Sequence, residues 1–302
     1  MVKDIAIIGV PMDLGQTRRG VDMGPSAIRY AGVVNRLKKL GYSIEDYGDM
    51  TIDYPNPGKL NTQESSHLKN LEEVVAANKT LFKNVDNIMS NNRFPLIFGG
   101  DHSIGIGALA GALQHNENLG VIWYDAHPDM NTVETSPSGN IHGMPLAVGL
   151  GCGHSKLTEI GGSSLHLNPE NVVIIGARSI DEGEKNLIRE KGIRVYTMHE
   201  IDRLGMSAVM DDAIDYLGKR TDSVHLSLDL DGLDPLVTPG VGTPEVGGLS
   251  YRESHLAMEM LAKSDLITSA GFVEVNHILD DRNKTADVAV VLIASLFGET
   301  LL

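Results

Sequence analysis

The 302-residue sequence predicts an α/β fold of three layers, in which a central, mainly parallel sheet of eight strands has helices on both faces. Two observations support this fold class. Short apolar runs rich in β-branched residues alternate along the chain with longer segments of helical periodicity, which is typical of βαβ units. Acidic and histidine side chains follow the ends of several apolar runs, where open parallel sheets place their sites.

The predicted elements alternate from one end of the chain to the other. The first apolar run follows the first few residues without a basic leader or cleavage site, so we expect a strand there and no signal peptide. The predicted strands cover residues 5–10, 42–47, 94–98, 120–124, 171–175, 194–197, 224–228 and 270–275. The predicted helices cover residues 26–40, 66–91, 104–114, 182–191, 207–217, 251–262 and 285–296.

Composition excludes some classes of partner. A net charge of -15 argues against nucleic acid or an anionic membrane, and is compatible with metal ions or a cationic ligand. The lone cysteine, Cys152, excludes an intramolecular disulfide and suits a reducing compartment. The longest apolar stretch, 288–297, is too short to span a bilayer. Two long polar loops, 51–65 and 132–141, interrupt the alternation without a change of composition, so we expect one domain over residues 1–302. With no predicted signal peptide or membrane span, we expect this domain to be cytoplasmic.

The strongest functional signal is a set of acidic and histidine side chains that follow three of the predicted strands. Its six members are His102, Asp125, His127, Asp129, Asp229 and Asp231. Asp125, His127 and Asp129 alternate after the fourth strand, and Asp229 and Asp231 alternate after the seventh. Side chains two residues apart in an extended chain share a face, so each cluster is expected to converge on one point.

These residue types indicate a metal centre. Carboxylates with imidazoles suit Mn²⁺ better than structural zinc, which favours cysteine and histidine. Four carboxylates carry a formal charge of about -4, which two divalent ions balance and one ion does not. We therefore predict two ions that bridge a water and lower its pKa. Asp101 and Asp234, next to His102 and Pro235, are expected to cap turns or to support ligands.

With these residues in view, the sequence resembles the ureohydrolase family, and the bacterial arginases within it. The matching motifs extend over essentially the whole chain. They are GVPMD at 9–13, RGVDMGPSAIR at 19–29, GGDHS at 99–103, DAHPD at 125–129, SGNIHGMP at 138–145, SLDLDGLDP at 227–235 and EVN at 274–276. Each motif alone is weak support, but together they are specific to this family.

The resemblance implies an arginase fold that binds two Mn²⁺ ions. One ion would take His102, Asp125, Asp129 and Asp229, and the other His127, Asp125, Asp229 and Asp231, so that Asp125 and Asp229 bridge. Hydroxide between the ions would attack the guanidinium carbon of L-arginine, and L-ornithine and urea would be released. Asp129 would pass a proton to the leaving amine, His142 would shuttle protons, and Glu274 would receive the guanidinium.

The resemblance also implies which residues bind the amino acid head and so separate arginine from agmatine, which has no carboxylate. Asn131, Ser136 and Ser138 offer neutral hydrogen-bonding groups for that carboxylate. Asp181 and Glu184 match the acids that lie near the α-ammonium of arginine. Their spacing is equally typical of acids in the first turn of a helix, which stabilise its dipole.

The sequence departs from the family pattern at two positions. Pro128 stands between two ligands, where the family has a small residue, and His277 stands where it usually has proline. Three alternatives remain open: a relative that acts on another guanidino compound, a metal-binding regulatory protein on the same scaffold, and a metal-dependent phosphoesterase. No phosphate-cradling glycine motif or basic cluster supports the last. By resemblance we also expect a homo-oligomer, either a trimer or a hexamer.

Overall fold

The computed structural model describes residues 4–55 and 67–301. Within these residues eight strands form one sheet. They are β1 (Asp4–Val10), β2 (Ser43–Asp49), β3 (Phe94–Gly99), β4 (Leu119–Tyr124), β5 (Val172–Ala177), β6 (Arg194–Thr197), β7 (Ser223–Asp229) and β8 (Ile267–Val273). Their order is β2-β1-β3-β8-β7-β4-β5-β6, and neighbouring strands pair in parallel. The predicted fold class is confirmed.

Helices surround the sheet. Those of the first half are α1 (Gly24–Tyr30), α2 (Val33–Lys39), α3 (Leu71–Ser90), α4 (Gly105–Leu113), α5 (Pro145–Gly149) and α6 (Ser155–Thr158). Those of the second half are α7 (Glu182–Lys191), α8 (Met198–Leu204), α9 (Met206–Gly218), α10 (Tyr251–Ser264) and α11 (Lys284–Leu296). None of the helices in the described ranges is both long enough and apolar enough to cross a bilayer.

Alternate residues of the strands enter separate cores on the two faces of the sheet. Ile5 and Ile7 of β1 pack in the core that contains apolar residues of α1, α2, α9, α10 and α11, whereas Ile8 packs in the core that contains those of α3 and α4. Trp123 of β4 belongs to a third cluster, next to the partly buried Leu187 of α7. Because central parallel strands are buried on both faces, they are apolar at nearly every position.

Several helix boundaries differ from the predicted ones for local reasons. The predicted helix 26–40 is two helices, because Gly32 adopts a left-handed φ of 89° that ends one helical path and begins another. The predicted helix 66–91 begins at Leu71, and residue 66 lies outside the described residues. Helices α5, α6 and α8 were not predicted. Of these, α8 has a capping box of Thr197 and Glu200, which is visible in the sequence as T-x-x-E.

Candidate metal centre and active site

The six predicted ligands lie together at the carboxyl end of the central strands. Parallel register brings the strand ends to one level: Tyr124 of β4 pairs with Leu228 of β7, and Asp229 pairs with Val273 of β8. The residues that follow these strands therefore meet above the middle of the sheet. The ligand atoms form two overlapping sets that share Asp125. We call them the His102 half (His102, Asp129, Asp229) and the His127 half (His127, Asp231).

In the His102 half, three carboxylates converge on one imidazole nitrogen. His102 Nδ1 lies 2.9 Å from Asp125 Oδ2, 3.0 Å from Asp129 Oδ2 and 3.1 Å from Asp229 Oδ2. The opposite ring nitrogen, Nε2, lies 2.7 Å from Ser227 Oγ, and the ring stacks on Trp123 with a centroid distance of 4.1 Å. These two contacts fix the ring so that Nδ1 faces the carboxylates.

The His127 half lies at the edge of a cleft. His127 Nδ1 lies 3.5 Å from Asp125 Oδ1 and 3.2 Å from Asp231 Oδ2, and 23% of the His127 side chain is exposed. Thr243 donates its hydroxyl hydrogen to Asp231 Oδ2 over 2.8 Å. Glu245 Oε1 lies 3.8 Å from His127 Nε2. A loop around Thr243 and Glu245 therefore borders this half, whereas strand and core residues border the other.

The chemistry of the cluster fits cations. His102 Nδ1 and Asp125 Oδ2 are buried and lie 2.9 Å apart, yet neither makes a hydrogen bond of acceptable geometry, so both point to a common centre instead of pairing. Burial, and then the neighbouring charges of Asp231 and Asp125, raise the pKa of Asp229. Burial, and then Asp125, raise the pKa of Asp129 to about 6. Bound divalent ions would relieve this repulsion and satisfy the unpartnered atoms.

Two residues of the site adopt left-handed backbone conformations that residues other than glycine rarely adopt. Asp129 has a φ of 52° and Glu274 a φ of 65°. The Asp129 carbonyl accepts hydrogen bonds from the amides of Leu146 and Ala147, at the start of α5. Such backbone strain persists where the surroundings hold it, and it gathers at functional sites. The left-handed conformation of Glu274 also ends β8 at Val273, before the predicted end at residue 275.

The carboxylate of Glu274 is buried and lies beside His142. Glu274 Oε1 accepts the His102 amide hydrogen at 2.9 Å and lies 3.4 Å from His142 Nδ1, while Oε2 accepts a hydrogen from Gln16 Nε2 at 3.1 Å. Burial lowers the pKa of His142, but the hydrogen bond and charge of Glu274 outweigh it and raise that pKa above its ordinary value. His142 lines the cleft, and Glu274 lies next to it outside the cleft lining.

The cleft has a cavity volume of about 140 Å³ and leads from the surface to the two halves. All five predicted substrate-binding residues line it: Asn131, Ser136, Ser138, Asp181 and Glu184. Asn131 donates from Nδ2 to Asp181 Oδ2 over 2.9 Å. The hydroxyl oxygens of Ser136 and Ser138 accept the amide hydrogens of Gly139 and Asn140. The long loop after β4 is thus folded against the start of α7.

Glu184 holds this arrangement together. Its Oε2 accepts the Asp181 amide hydrogen at 2.8 Å and its Oε1 accepts the Met130 amide hydrogen at 3.0 Å. Burial raises its pKa to about 7. Helix α7 begins at the cleft. Asp181 and Glu184 therefore lie at the start of a helix and also line the cleft, so the two predicted placements hold together.

Other predicted positions have structural roles or lie away from the ligands. Asp101 accepts the amide hydrogen of Ser103 and caps the turn that carries His102. Asp234 accepts the amide hydrogens of Leu236, Gly247 and Gly248. Pro128 is buried between His127 and Asp129. His277 is exposed, and its Nδ1 lies 3.0 Å from Asn283 Oδ1.

Sequence reasoning missed several residues that support the ligands. Ser227 could have been predicted, because Ser227 precedes Asp229 by two positions and the two residues therefore share a face of β7. Thr243, Glu245 and Arg178 follow no periodic pattern, and only the folded chain shows that they adjoin His127 or Asp231.

Comparison with known proteins shows the family of this chain. The profile of the Arginase family matches residues 3–298. The chain belongs to this family. It is 66% identical over 301 residues to an arginase of Bacillus caldovelox and 62% identical over 302 residues to one of Bacillus subtilis, and each match covers 100% of both chains. The solved native structure of the Bacillus caldovelox arginase is 67% identical, with a TM-score of 0.96 over 99% of this chain and 100% of that one. The chain is thus an enzyme of the arginase family.

Proposed function

We propose that this protein hydrolyses L-arginine to L-ornithine and urea, with two Mn²⁺ ions in the His102 and His127 halves. The observation that carries the proposal is the convergence of the six ligands at the bottom of a cleft whose rim has groups for an amino acid head. Full-length identity of 60% or more to proteins named arginase supports the same substrate.

The ligand assignment follows the two halves, except that Asp229 of the His102 half would also bind the second ion. One ion would be held by His102, Asp125, Asp129 and Asp229, and the other by His127, Asp125, Asp229 and Asp231. Carboxylate oxygen and imidazole nitrogen are donors that Mn²⁺ accepts. When bound, the ions supply positive charge that lowers the pKa of water, so that hydroxide is available to attack the guanidinium carbon near neutral pH.

Asp129 and His142 are placed to move protons. Asp129 lines the cleft, so its carboxylate can accept a proton released in the reaction and pass it to the leaving amine. His142 contacts both the cleft and Glu274, and 18% of its side chain is exposed, so it can exchange protons with solvent. In this arrangement Glu274 orients and charges His142, in addition to the guanidinium contact that the family resemblance implies.

Arginine is distinguished from agmatine at the rim of the cleft. We assign Asp181 to the α-ammonium, and Asn131, Ser136 and Ser138 to the α-carboxylate, directly or through water. Glu184 acts mainly by holding Asp181, because both of its oxygens accept backbone amide hydrogens. A site with polar groups for a head that agmatine lacks should reject agmatine, since its own groups then lose partners.

An assay of urea release after Mn²⁺ loading tests the proposal. We expect arginine to be hydrolysed at least about tenfold more efficiently than agmatine or guanidinobutyrate, for each charge-assisted hydrogen bond that is lost. Asp181→Ala should weaken arginine binding and change agmatine turnover little. Equal efficiency with agmatine would overturn the choice of substrate but not the hydrolytic chemistry. No urea from any guanidino compound would overturn both.

The setting of the enzyme is also a proposal. We propose one domain over residues 1–302, in the cytoplasm, assembled as a trimer or a hexamer, with neither nucleic acid nor membrane as partner. The acidic net charge and the single cysteine support the compartment and the excluded partners. The assembly rests on family resemblance, and light scattering during size-exclusion chromatography would measure it.

A further inference from the structure

The guanidinium group of Arg178, directly after β5, is surrounded by backbone carbonyls. Its two Nη atoms donate to five carbonyl oxygens, those of Gly176 at 3.3 Å, Asp231 at 2.8 Å, Gly232 at 2.9 Å, Leu233 at 3.2 Å and Glu245 at 2.8 Å. Arginine side chains usually pair with carboxylates. In the described part of the chain, no carboxylate oxygen accepts a hydrogen bond from this one.

The backbone at the same position holds a further segment. The amides of Arg178 and Ser179 both donate to the carbonyl of Ala126, which stands between Asp125 and His127. One residue and its neighbour thus connect the turn that carries His127, the turn that carries Asp231 and the loop of Glu245. These are the segments that form and border the His127 half.

The surroundings of Arg178 are shaped for a planar, many-donor group. A side-chain carbon added at Gly248 would lie 2.4 Å from Arg178 Nη2, so the guanidinium occupies space that only glycine leaves free. Burial lowers the pKa of Arg178, and the charges of Asp231 and Asp125 oppose that effect, so the group keeps its charge. A lysine has three donors on one atom and cannot reproduce the planar fork.

The His102 half depends on other groups. His102 is fixed by Ser227, Trp123 and Glu274, and none of the hydrogen bonds of the Arg178 side chain involves His102, Asp129 or Asp229. Loss of the Arg178 contacts should therefore loosen one half of the centre and spare the other.

We propose that Arg178 is a positioning residue that holds the His127 half in place against the His102 half, and thereby sets the affinity for the second metal ion. This inference rests on the proposed two-metal function. Arg178 acts through the backbone of Asp231 and Glu245 and touches neither a reacting atom nor a metal ion. Its removal should therefore change metal occupancy first and chemistry only as a consequence.

The test compares Arg178→Lys and Arg178→Met with Arg36→Met. Arg36 also forms several hydrogen bonds, but to the carboxylate of Glu299, so it controls for the loss of a well-bonded arginine. Metal content and the electron paramagnetic resonance signal of a coupled Mn²⁺ pair are measured across free Mn²⁺ concentrations. We expect the concentration that fills the second site to rise about 10- to 100-fold in both Arg178 variants, as for other partners that orient metal ligands. Arg36→Met should match the wild type.

Hydrogen exchange on the metal-free proteins gives a readout that needs no metal and no substrate. The amides of Gly247, Gly248 and Leu249 should exchange faster in Arg178→Lys than in the wild type or in Arg36→Met, while those of β7 stay protected. Unchanged exchange there, together with wild-type Mn²⁺ dependence in both Arg178 variants, would overturn the inference even if their thermal stability fell.

The two proposals fail in different ways. If the wild type never binds a second ion, the binuclear function fails, and the exchange comparison still tests whether Arg178 positions the loop. If the wild type binds two ions, and both Arg178 variants bind them equally well with unchanged hydrogen exchange, the function stands and the positioning role fails. Full recovery of turnover by Arg178→Lys at saturating Mn²⁺ would support an effect on occupancy, and a persistent loss would place Arg178 closer to the chemistry.

Discussion

The two halves of the candidate metal centre have the same kinds of ligand but different supports. His102 is 1% exposed and is held by a strand hydroxyl and an indole ring, whereas the His127 side chain is 23% exposed and is bordered by the loop of Thr243 and Glu245. Strands in the middle of a sheet are less mobile than loops and open less often. We therefore expect the His102 half to bind its ion more tightly and the His127 half to respond more to changes around it.

The largest expected effect comes from the ligand that both halves share. Asp125 lies 2.9 Å from the His102 nitrogen and 3.5 Å from that of His127, so Asp125→Asn should weaken both ions at once. Its activity should fall by more than the roughly 100-fold that is typical when a partner behind a ligand is lost. Elemental analysis after Mn²⁺ loading would check this. Retention of one tightly bound ion would show that the halves are independent of Asp125.

A second test separates proton transfer from metal binding. His142 belongs to neither half, so His142→Asn should keep both ions while its turnover falls about 10²- to 10⁴-fold, the usual range for a lost general acid or base. Added imidazole should restore part of the activity. Loss of an ion in this variant would mean that His142 belongs to the ligand set.

A matched pair of hydroxyl deletions addresses the comparison directly. Ser227→Ala removes the hydroxyl beside His102 Nε2, and Thr243→Val removes the hydroxyl that donates to Asp231 Oδ2, with little change in volume. Each should weaken one ion by about 10- to 100-fold, the tighter ion in the first variant and the weaker ion in the second. Calorimetric Mn²⁺ titrations would resolve the two steps. If both variants affected the same step, the two-half description would be wrong.

The smallest effect concerns pH. Glu274 raises the pKa of His142, so the proton leaves His142 at higher pH than from a free imidazole, and the rising limb of activity should lie correspondingly high. Glu274→Gln removes the charge and should move that limb to lower pH. pH profiles of kcat and kcat/KM would check the shift. A rise in KM for arginine without a shift would instead favour direct contact with the guanidinium.

The raised pKa of His142 also links the stability of the fold to pH. Protonated His142 stabilises the fold fully below a pH of about 6.5, and this contribution is lost as pH rises through the pKa of His142 in the folded state.

The sequence alone indicates that the six candidate ligands lie close together, because strand geometry relates spacing in the chain to position at the end of the sheet. Asp229 and Asp231 alternate at the end of a parallel strand, and the register of β4 and β7 brings them to Asp125 without any further information. The supports escaped prediction because they are long-range contacts. Arg178 and Thr243 are separated from Asp231 in the chain by 53 and 12 positions, and their roles follow from loop paths that no periodic pattern encodes.

The same contrast applies to the helices. Amphipathic periodicity predicted α9 and α10 closely, but not the break between α1 and α2, where a single left-handed glycine redirects the chain. The Glu274 side chain shows how far the sequence can predict the site. Its place after β8 was predictable, but the hydrogen bonds that turn its carboxylate toward His142 depend on residues as distant as Gln16.

The outermost strand β2 restricts how copies of this chain can associate. An open edge invites a neighbouring strand, and proteins that avoid this place charge along it. Here Glu45, Asp46 and Asp49 lie along the edge, paired with Arg29 and Arg93 of the same chain. A second copy joined edge to edge would bring like carboxylates together and disrupt those ion pairs. Charge along β2 thus disfavours strand pairing between copies at this edge of the sheet, which leaves β6 and the helix and loop surfaces for assembly.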